Sequence, residues 1–199
     1  MVSRADKQQM MYTAWNAITP TSEALFKEFT GQLQLASYEK GHTLLAAGQK
    51  SEISYFLLSG IIRFYYTTED GKEFNKAFYS EQQLVGSLSS IILSEPSRYS
   101  IEALEPCEGF VIPNSLYLHY VTKDLAWERH FSYCCQMMLV RNERREAELL
   151  LKSPKERYLQ FARNFPELLK RVPQYHIASY LGITPVALSR SRANWEQAL

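Results

Sequence analysis

Along this chain, short apolar runs broken by glycine give way to stretches in which apolar residues recur at three- and four-residue steps. From Ser22 to about Leu33, the residues Leu25, Phe26, Phe29 and Leu33 follow the helical spacing and predict an amphipathic helix. From Tyr38 to about Ile112 the texture is β-rich. Runs such as ISYFLL and IIRFYYTT are punctuated by Gly41, Gly48, Gly60, Gly71 and Gly86, as in a β-barrel or sandwich. Between two such runs, Glu69-Asp70-Gly71 predicts a hairpin, because Asp-Gly tolerates the positive φ of a tight turn.

After Pro113 the helical spacing returns, and from about Asp124 to Leu151 no Gly or Pro interrupts one long helix. One apolar stripe holds Trp127, Phe131, Cys134 and Met138, while Tyr133, Met137 and Val140 lie on another face. Such a helix needs two partners: the barrel on one side, and on the other either a twin helix from a second copy or more cover within one subunit. The segment RNERREAE beyond Val140 reads as a solvated face, and Ser153-Pro154 should break the helix. The expected division is therefore 1–123, 124–152 and 153–199. The last part reads as three helices, Lys155 to about Leu169, Gln174 to Leu181 and Pro185 to about Ala198.

An apolar content of 46% over 199 residues supports real cores. No run approaches the ~18 apolar residues of a membrane span, and MVSRADKQQMMYTAWNAI lacks the apolar region of a secretion signal. The expectation is a soluble, cytoplasmic protein with no membrane partner. Cys107, Cys134 and Cys135 form no CxxC pair, which argues against a disulfide framework or a metal site and for reduced, buried thiols. The net charge of +1 hides an asymmetry: residues 152–199 carry eight Lys/Arg against three Glu, net +5, leaving −4 for the remainder. A basic terminal unit on an acidic body suits a phosphate-binding module attached to something else.

Within that basic unit, HIASYLGITPVALSRSR, from His176 to Arg192, reads as a helix–turn–helix. Ile177, Ala178 and Leu181 form an apolar face, and Gly182 sits where the turn needs a residue without Cβ. Thr184 can cap the second helix, Pro185 suits its first position, and Leu188 faces inward. Candidate DNA-contacting residues are Gln174, Thr184, Val186, Ala187, Ser189, Arg190 and Arg192. Arg190 is the best base reader, because a guanidinium gives paired hydrogen bonds to guanine O6 and N7.

Together, the β-rich body, long helix and terminal helix–turn–helix resemble the cyclic AMP receptor protein/FNR (Crp/Fnr) family of bacterial transcription regulators. EKGHTLLAAGQKSEISYFLLSGIIRFYYTTEDGKEF carries the family's glycine rhythm and EDGKE hairpin. The resemblance implies an α+β chain: a β-roll (jelly-roll) cyclic-nucleotide-binding-like effector domain, a long dimerisation helix and a helix–turn–helix domain. It also implies a homodimer on a pseudo-palindromic double-stranded operator, with RNA polymerase as a candidate partner and no enzymatic activity. The dimer stripe would be Trp127, Phe131, Cys134 and Met138. Since the chain ends at Leu199, the wing that normally follows the recognition helix is expected to be truncated or absent.

The family's phosphate-binding cassette falls on LVGSLSSIILSEPSRYS, giving Gly86, Ser87, Leu88, Ser89, Arg98, Tyr99 and Ser100 as effector-pocket candidates. Ser87 replaces the acid that would hold a ribose hydroxyl, and Ser97 stands where the phosphate-pairing arginine belongs, with Arg98 one position late. A one-residue slip in a strand sends a side chain to the opposite face, and a buried cyclic phosphate needs a charge-assisted partner. A cyclic nucleotide is therefore disfavoured, no cofactor is assigned, and the effector is an unknown small molecule. At the reading end, Pro185 and Val186 occupy positions where the family often has Arg and Glu, so the operator should differ. Three cysteines are too few for an FNR-type cluster, and His42, His119, His130 and His176 lack haem-ligand spacing. A cupin-type enzyme would need clustered histidines, whereas the barrel region holds only His42. The remaining rival is a sensor module that has lost specific DNA binding.

Overall fold

The computed structural model describes residues 2–196, with side chains through Asn194. Two helices come first, α1 (Arg4–Ile18) and α2 (Glu23–Gly31). The second is the expected amphipathic helix, capped by Ser22; the first was not foreseen. It starts at a capping box in which the Ser3 and Asp6 side chains each bond the other's backbone. Only Met11 and Trp15 are buried along it, too few to announce a helix by periodicity.

Eight strands follow: β1 (Gln34–Tyr38), β2 (Thr43–Leu45), β3 (Ile53–Ser59), β4 (Ile62–Thr67), β5 (Glu73–Tyr79), β6 (Leu84–Val85), β7 (Ser100–Ala103) and β8 (Cys107–Pro113). They form two antiparallel four-stranded sheets, ordered β1-β8-β3-β6 and β2-β7-β4-β5, so the chain alternates between layers as a β-roll does. The expected hairpin joins β4 to β5, with Thr67 opposite Glu73 and Gly71 at φ 80°. Between the sheets lie Tyr55, Phe64, Ala77, Tyr79, Val85, Tyr99 and Ile101. A short helix, α3 (Leu88–Leu93), spans from β6 towards β7.

Helices α4 (Asn114–Lys123) and α5 (Leu125–Leu151) continue the chain. Asp124 caps α5 by accepting from the Ala126 and Trp127 amides. Trp127 is fully buried among Trp15, Phe26, Phe29, Tyr117 and Tyr120, and His130 stacks on Trp15 at 3.6 Å. This corrects the expected dimer stripe: Trp127 belongs to the core of its own chain. Phe131 packs on the same core. Cys134 and Met138, one and two turns on, line a cavity of about 260 Å³ beneath α5 with Trp15 and Phe131. Their α-helical spacing keeps all four on one face. The outward face instead presents Leu139 and Leu150, which are 69% and 74% exposed. The three thiols are free, with only Cys107 fully buried.

Four helices make up the remainder: α6 (Pro154–Asn164), α7 (Pro166–Arg171), α8 (Gln174–Leu181) and α9 (Pro185–Glu196). The helix expected from Lys155 to Leu169 is split, because Pro166 has no N–H to continue it and holds Phe165 out of the helical region at φ −137°, ψ 55°. Ala198, the expected end of α9, lies outside the described residues. No helix among those described is long and apolar enough to cross a membrane.

Candidate effector pocket and nucleic-acid interface

The cassette between β6, α3 and β7 is closed by its own side chains. Period-two alternation along β7 turns Tyr99, Ile101 and Ala103 into the roll and leaves Arg98 exposed. Arg98 therefore does not line the interior, which corrects its assignment to the pocket. The Tyr99 ring stacks on Phe64 at 4.9 Å, and its hydroxyl donates to the Gly86 carbonyl at 3.2 Å. Burial raises the Tyr99 pKa, so the phenol stays neutral. Ser97, where a phosphate partner would stand, is buried and donates to the Tyr99 carbonyl at 2.7 Å. Ser87 is fully buried, its Oγ 3.1 Å from that of Ser89, and Ser100 accepts from the Ala47 amide at 3.0 Å. Gly86 leaves no slack: an added Cβ would come within 2.5 Å of Ser54 Oγ. Leu88 opens α3 and faces the cavity beneath α5 rather than the space between the sheets. Arg98 turns outward, the hydroxyls are already engaged and the Tyr99 ring fills the space, so these residues do not fit a cyclic nucleotide bound through the cassette. The nearby cations, Lys76 over the Tyr99 ring at 5.8 Å and Arg141 on the Tyr79 hydroxyl, come from β5 and α5.

In the helix–turn–helix, Gly182 ends α8 in the left-handed region at φ 68°, and Thr184 Oγ1 accepts from the Ala187 amide at 3.1 Å, the expected N-cap. Leu188 is buried with Ile177, Ala178 and Leu181. Val186 is 57% exposed, Ala187, Ser189 and Arg190 are exposed with it, and Arg192 is half-buried. Gln174 is exposed at the start of α8. One solvent-facing surface of α9 thus gathers Val186, Ala187, Ser189 and Arg190.

Beyond the sites expected from sequence, α8 docks on the outer face of the β4–β5 sheet. Arg63 is 4% exposed and donates to Glu73 at 2.6 Å, Glu102 at 2.8 Å and Asn75 Oδ1 at 3.3 Å. Both Arg63 Nη1 and Asn75 Nδ2 lie within hydrogen-bond reach of His176 Nδ1, at 3.4 and 3.2 Å. Asn75 Nδ2 also donates to the His176 carbonyl, and the Asn75 amide donates to Ser179 Oγ. Two donors on Nδ1 require the neutral ring with its proton on Nε2. Burial, with Arg63 and Lys40 nearby, lowers the His176 pKa to about 4. Farther along, Arg171 bridges Glu81 and Glu105 across the same junction, and Ile61 and Leu104 join the apolar core of the terminal unit. A sequence signal did exist: Arg63 interrupts the apolar run IIRFYY, a charge that must find partners on the face opposite Ile62 and Phe64.

Two sheets of alternating strands, a long helix and a terminal helix–turn–helix define a β-roll joined through a long helix to a helix–turn–helix unit, and comparison with known proteins agrees on this fold. Residues 35–124 match the cyclic nucleotide-binding domain family. The chain is also similar to the cAMP-activated global transcriptional regulator CRP of Pasteurella multocida, 28% identical over 90 residues that make up 45% of this chain and less than half, 43%, of that relative. Among solved structures, FixK2 from Bradyrhizobium japonicum superposes with a TM-score of 0.72 at 20% identity, covering 83% of this chain and 85% of that one. The Thermus thermophilus catabolite activator protein gives 0.58 at 18% identity over 93% and 87%. Residues 35–124 thus carry a cyclic nucleotide-binding domain by sequence, and the chain as a whole shares the fold of these two structures.

Proposed function

We propose that this chain is a DNA-binding transcription regulator that acts as a homodimer. The observation that carries this reading is the solvent-facing surface of α9, on which Arg190 stands with Val186, Ala187 and Ser189 while Leu188 and the Thr184 cap fix the helix. In this reading Arg190 reads a guanine, Val186 meets a thymine methyl, and Ser189, Thr184, Gln174 and Arg192 approach phosphates. The outward face of α5, with Leu139 and Leu150, forms the seam between copies, and RNA polymerase is a candidate downstream partner. The effector is a small molecule held elsewhere than in the cassette.

Operators selected from a random double-stranded library test this reading, with binding followed as salt rises. Affinity should fall steeply with salt, and Arg190→Ala should cost about 1–3 kcal/mol while relaxing preference at one position per half-site. A chain that selects no sequence would instead be a sensor module without specific DNA binding. For the seam, Leu139→Asp should yield monomers in sizing experiments; an intact dimer would remove α5's outer face from the role.

A further inference from the structure

A second cavity, of about 530 Å³, lies where β5, α5 and the terminal unit meet. Its size falls within the usual range for small-ligand sites. Lys76 from β5 and Arg141 and Arg145 from α5 all line it, against a single lining carboxylate, Glu146. None of the three cations takes part in an ion pair among the described residues. Lys76 donates to the Asn142 amide oxygen at 3.2 Å and lies over the Tyr99 ring at 5.8 Å. Arg141 bonds the Tyr79 hydroxyl, and Arg145 lies over the Tyr180 ring at 3.9 Å with its Nη1 buried and unpartnered. Burial and the two guanidiniums lower the Lys76 pKa, and burial lowers that of Arg145 against the opposing pull of Tyr180 and Glu148. Gathering like charges at a half-buried site is unfavourable unless an anion joins them. Three aromatic rings on the same cavity, Tyr66, Phe74 and Phe165, are each about 40% exposed, which leaves flat apolar surface beside the cations.

We propose that this interdomain cleft binds a small flat organic anion, a ring bearing a phosphate or carboxylate group. Lys76, Arg141 and Arg145 hold the anionic group, and the exposed aromatics cover the ring. Cations that already face inward cost little reorganisation on binding. The walls belong to the roll, the long helix and α8, so an occupant adds contacts to the docked arrangement and couples the roll to the DNA-reading unit. This deepens the function proposed above by placing its effector. The binding itself requires no DNA, so the two readings fail separately.

Calorimetry of the full chain with phenyl phosphate, benzoate, inorganic phosphate and phenol tests the site. Phenyl phosphate or benzoate should bind with Kd below about 1 mM, and more tightly than inorganic phosphate or phenol. The stronger of the two names the anionic group. Arg145→Gln and Lys76→Met should each weaken that binding about tenfold, the loss of one charge-assisted hydrogen bond, and Lys76→Arg should restore it. Tyr99→Phe, in the cassette, should leave it unchanged. If Arg145→Gln fails to fold, the Lys76 pair decides. No binding by either ring-bearing anion, binding indifferent to the Lys76 and Arg145 changes, or a loss confined to Tyr99→Phe would overturn the proposal. So would variants that weaken only DNA affinity, since the cations would then be phosphate contacts for DNA.

Discussion

Inside the roll, the polar groups between β6, α3 and β7 are neutral hydroxyls that bond one another or the backbone: Ser97 to the Tyr99 carbonyl, Tyr99 to the Gly86 carbonyl, Ser87 to Ser89. On the outer face of the β4–β5 sheet the polar groups are charged, and Arg63 links Glu73, Glu102, Asn75 and His176 across to α8. Period-two alternation separates the two regions, since β7 sends Tyr99 inward while Glu102 faces Arg63. The charges of this chain thus gather at the junction between its parts, while Ser97 and the Tyr99 ring fill the cassette. Under the reading proposed above, a charged ligand acts at the junction and the cassette serves as packing.

The comparison breaks most readily at the ring itself. Tyr99→Ala should cost about 3–5 kcal/mol, the range for truncating a buried aromatic in a core that cannot collapse, read as a lower urea midpoint with unchanged slope. A loss near zero would mean that the cassette is a ligand site and not core. Next is Arg63→Ala, which strands Glu102 and leaves His176 Nδ1 with one donor. Its cost should be about 3 kcal/mol, the lower end for breaking a buried pair, because Glu73 is 43% exposed. The readout is native-state hydrogen exchange in α8, which should speed up more than exchange in β3 or β8 if the arginine holds the docked arrangement.

Acid probes the same junction more gently. The folded pKa of His176 lies at about 4, below its ordinary 6.5. Once undocked, the ring takes up a proton more readily, so docking is fully supported above about pH 6.5 and weakens as pH falls from there towards 4. Near pH 5 the loss should be about 2 kcal/mol. Arg63 and Lys40 oppose the protonated ring, while Glu73 and Glu102 are already committed to Arg63. His130, lowered to about 3, titrates in the same direction but sits in the α1–α5 core. Exchange in α8 rather than global unfolding therefore isolates the junction, and His176→Gln should flatten the pH dependence there.

Much of this was legible in the chain. Apolar period and glycine spacing announced the roll and the β4–β5 hairpin, and Thr184-Pro185 after Gly182 announced the turn into α9. The slip from Ser97 to Arg98 announced the departure at the cassette, because strand alternation is local. What was not legible depends on contacts between distant segments. Trp127 is indistinguishable in sequence from a seam residue until α1 and α4 are seen to enclose it, and α1 carries too few apolar residues to declare itself. Lys76 stands far in sequence from Arg141 and Arg145, which lie one turn apart on α5, and meets them only where β5 and α5 line one cavity. Arg63 could have been flagged, but its partner His176 lies more than a hundred residues away.

The smallest expected effect distinguishes two ways of keeping a ligand out of the cassette. Tyr99→Phe keeps the ring against Phe64 and removes only the hydroxyl that donates to Gly86. The cost should be about 1 kcal/mol, the net worth of one hydrogen bond, and less if water reaches the freed carbonyl. Since the ring still fills the space between the sheets, cyclic AMP should bind this variant no better than the parent in calorimetry. If binding appeared at this small cost in stability, the hydroxyl would be acting as a bolt on a pocket that still exists. The contrast between a packed interior and a charged junction would then be one of degree, set by a single oxygen.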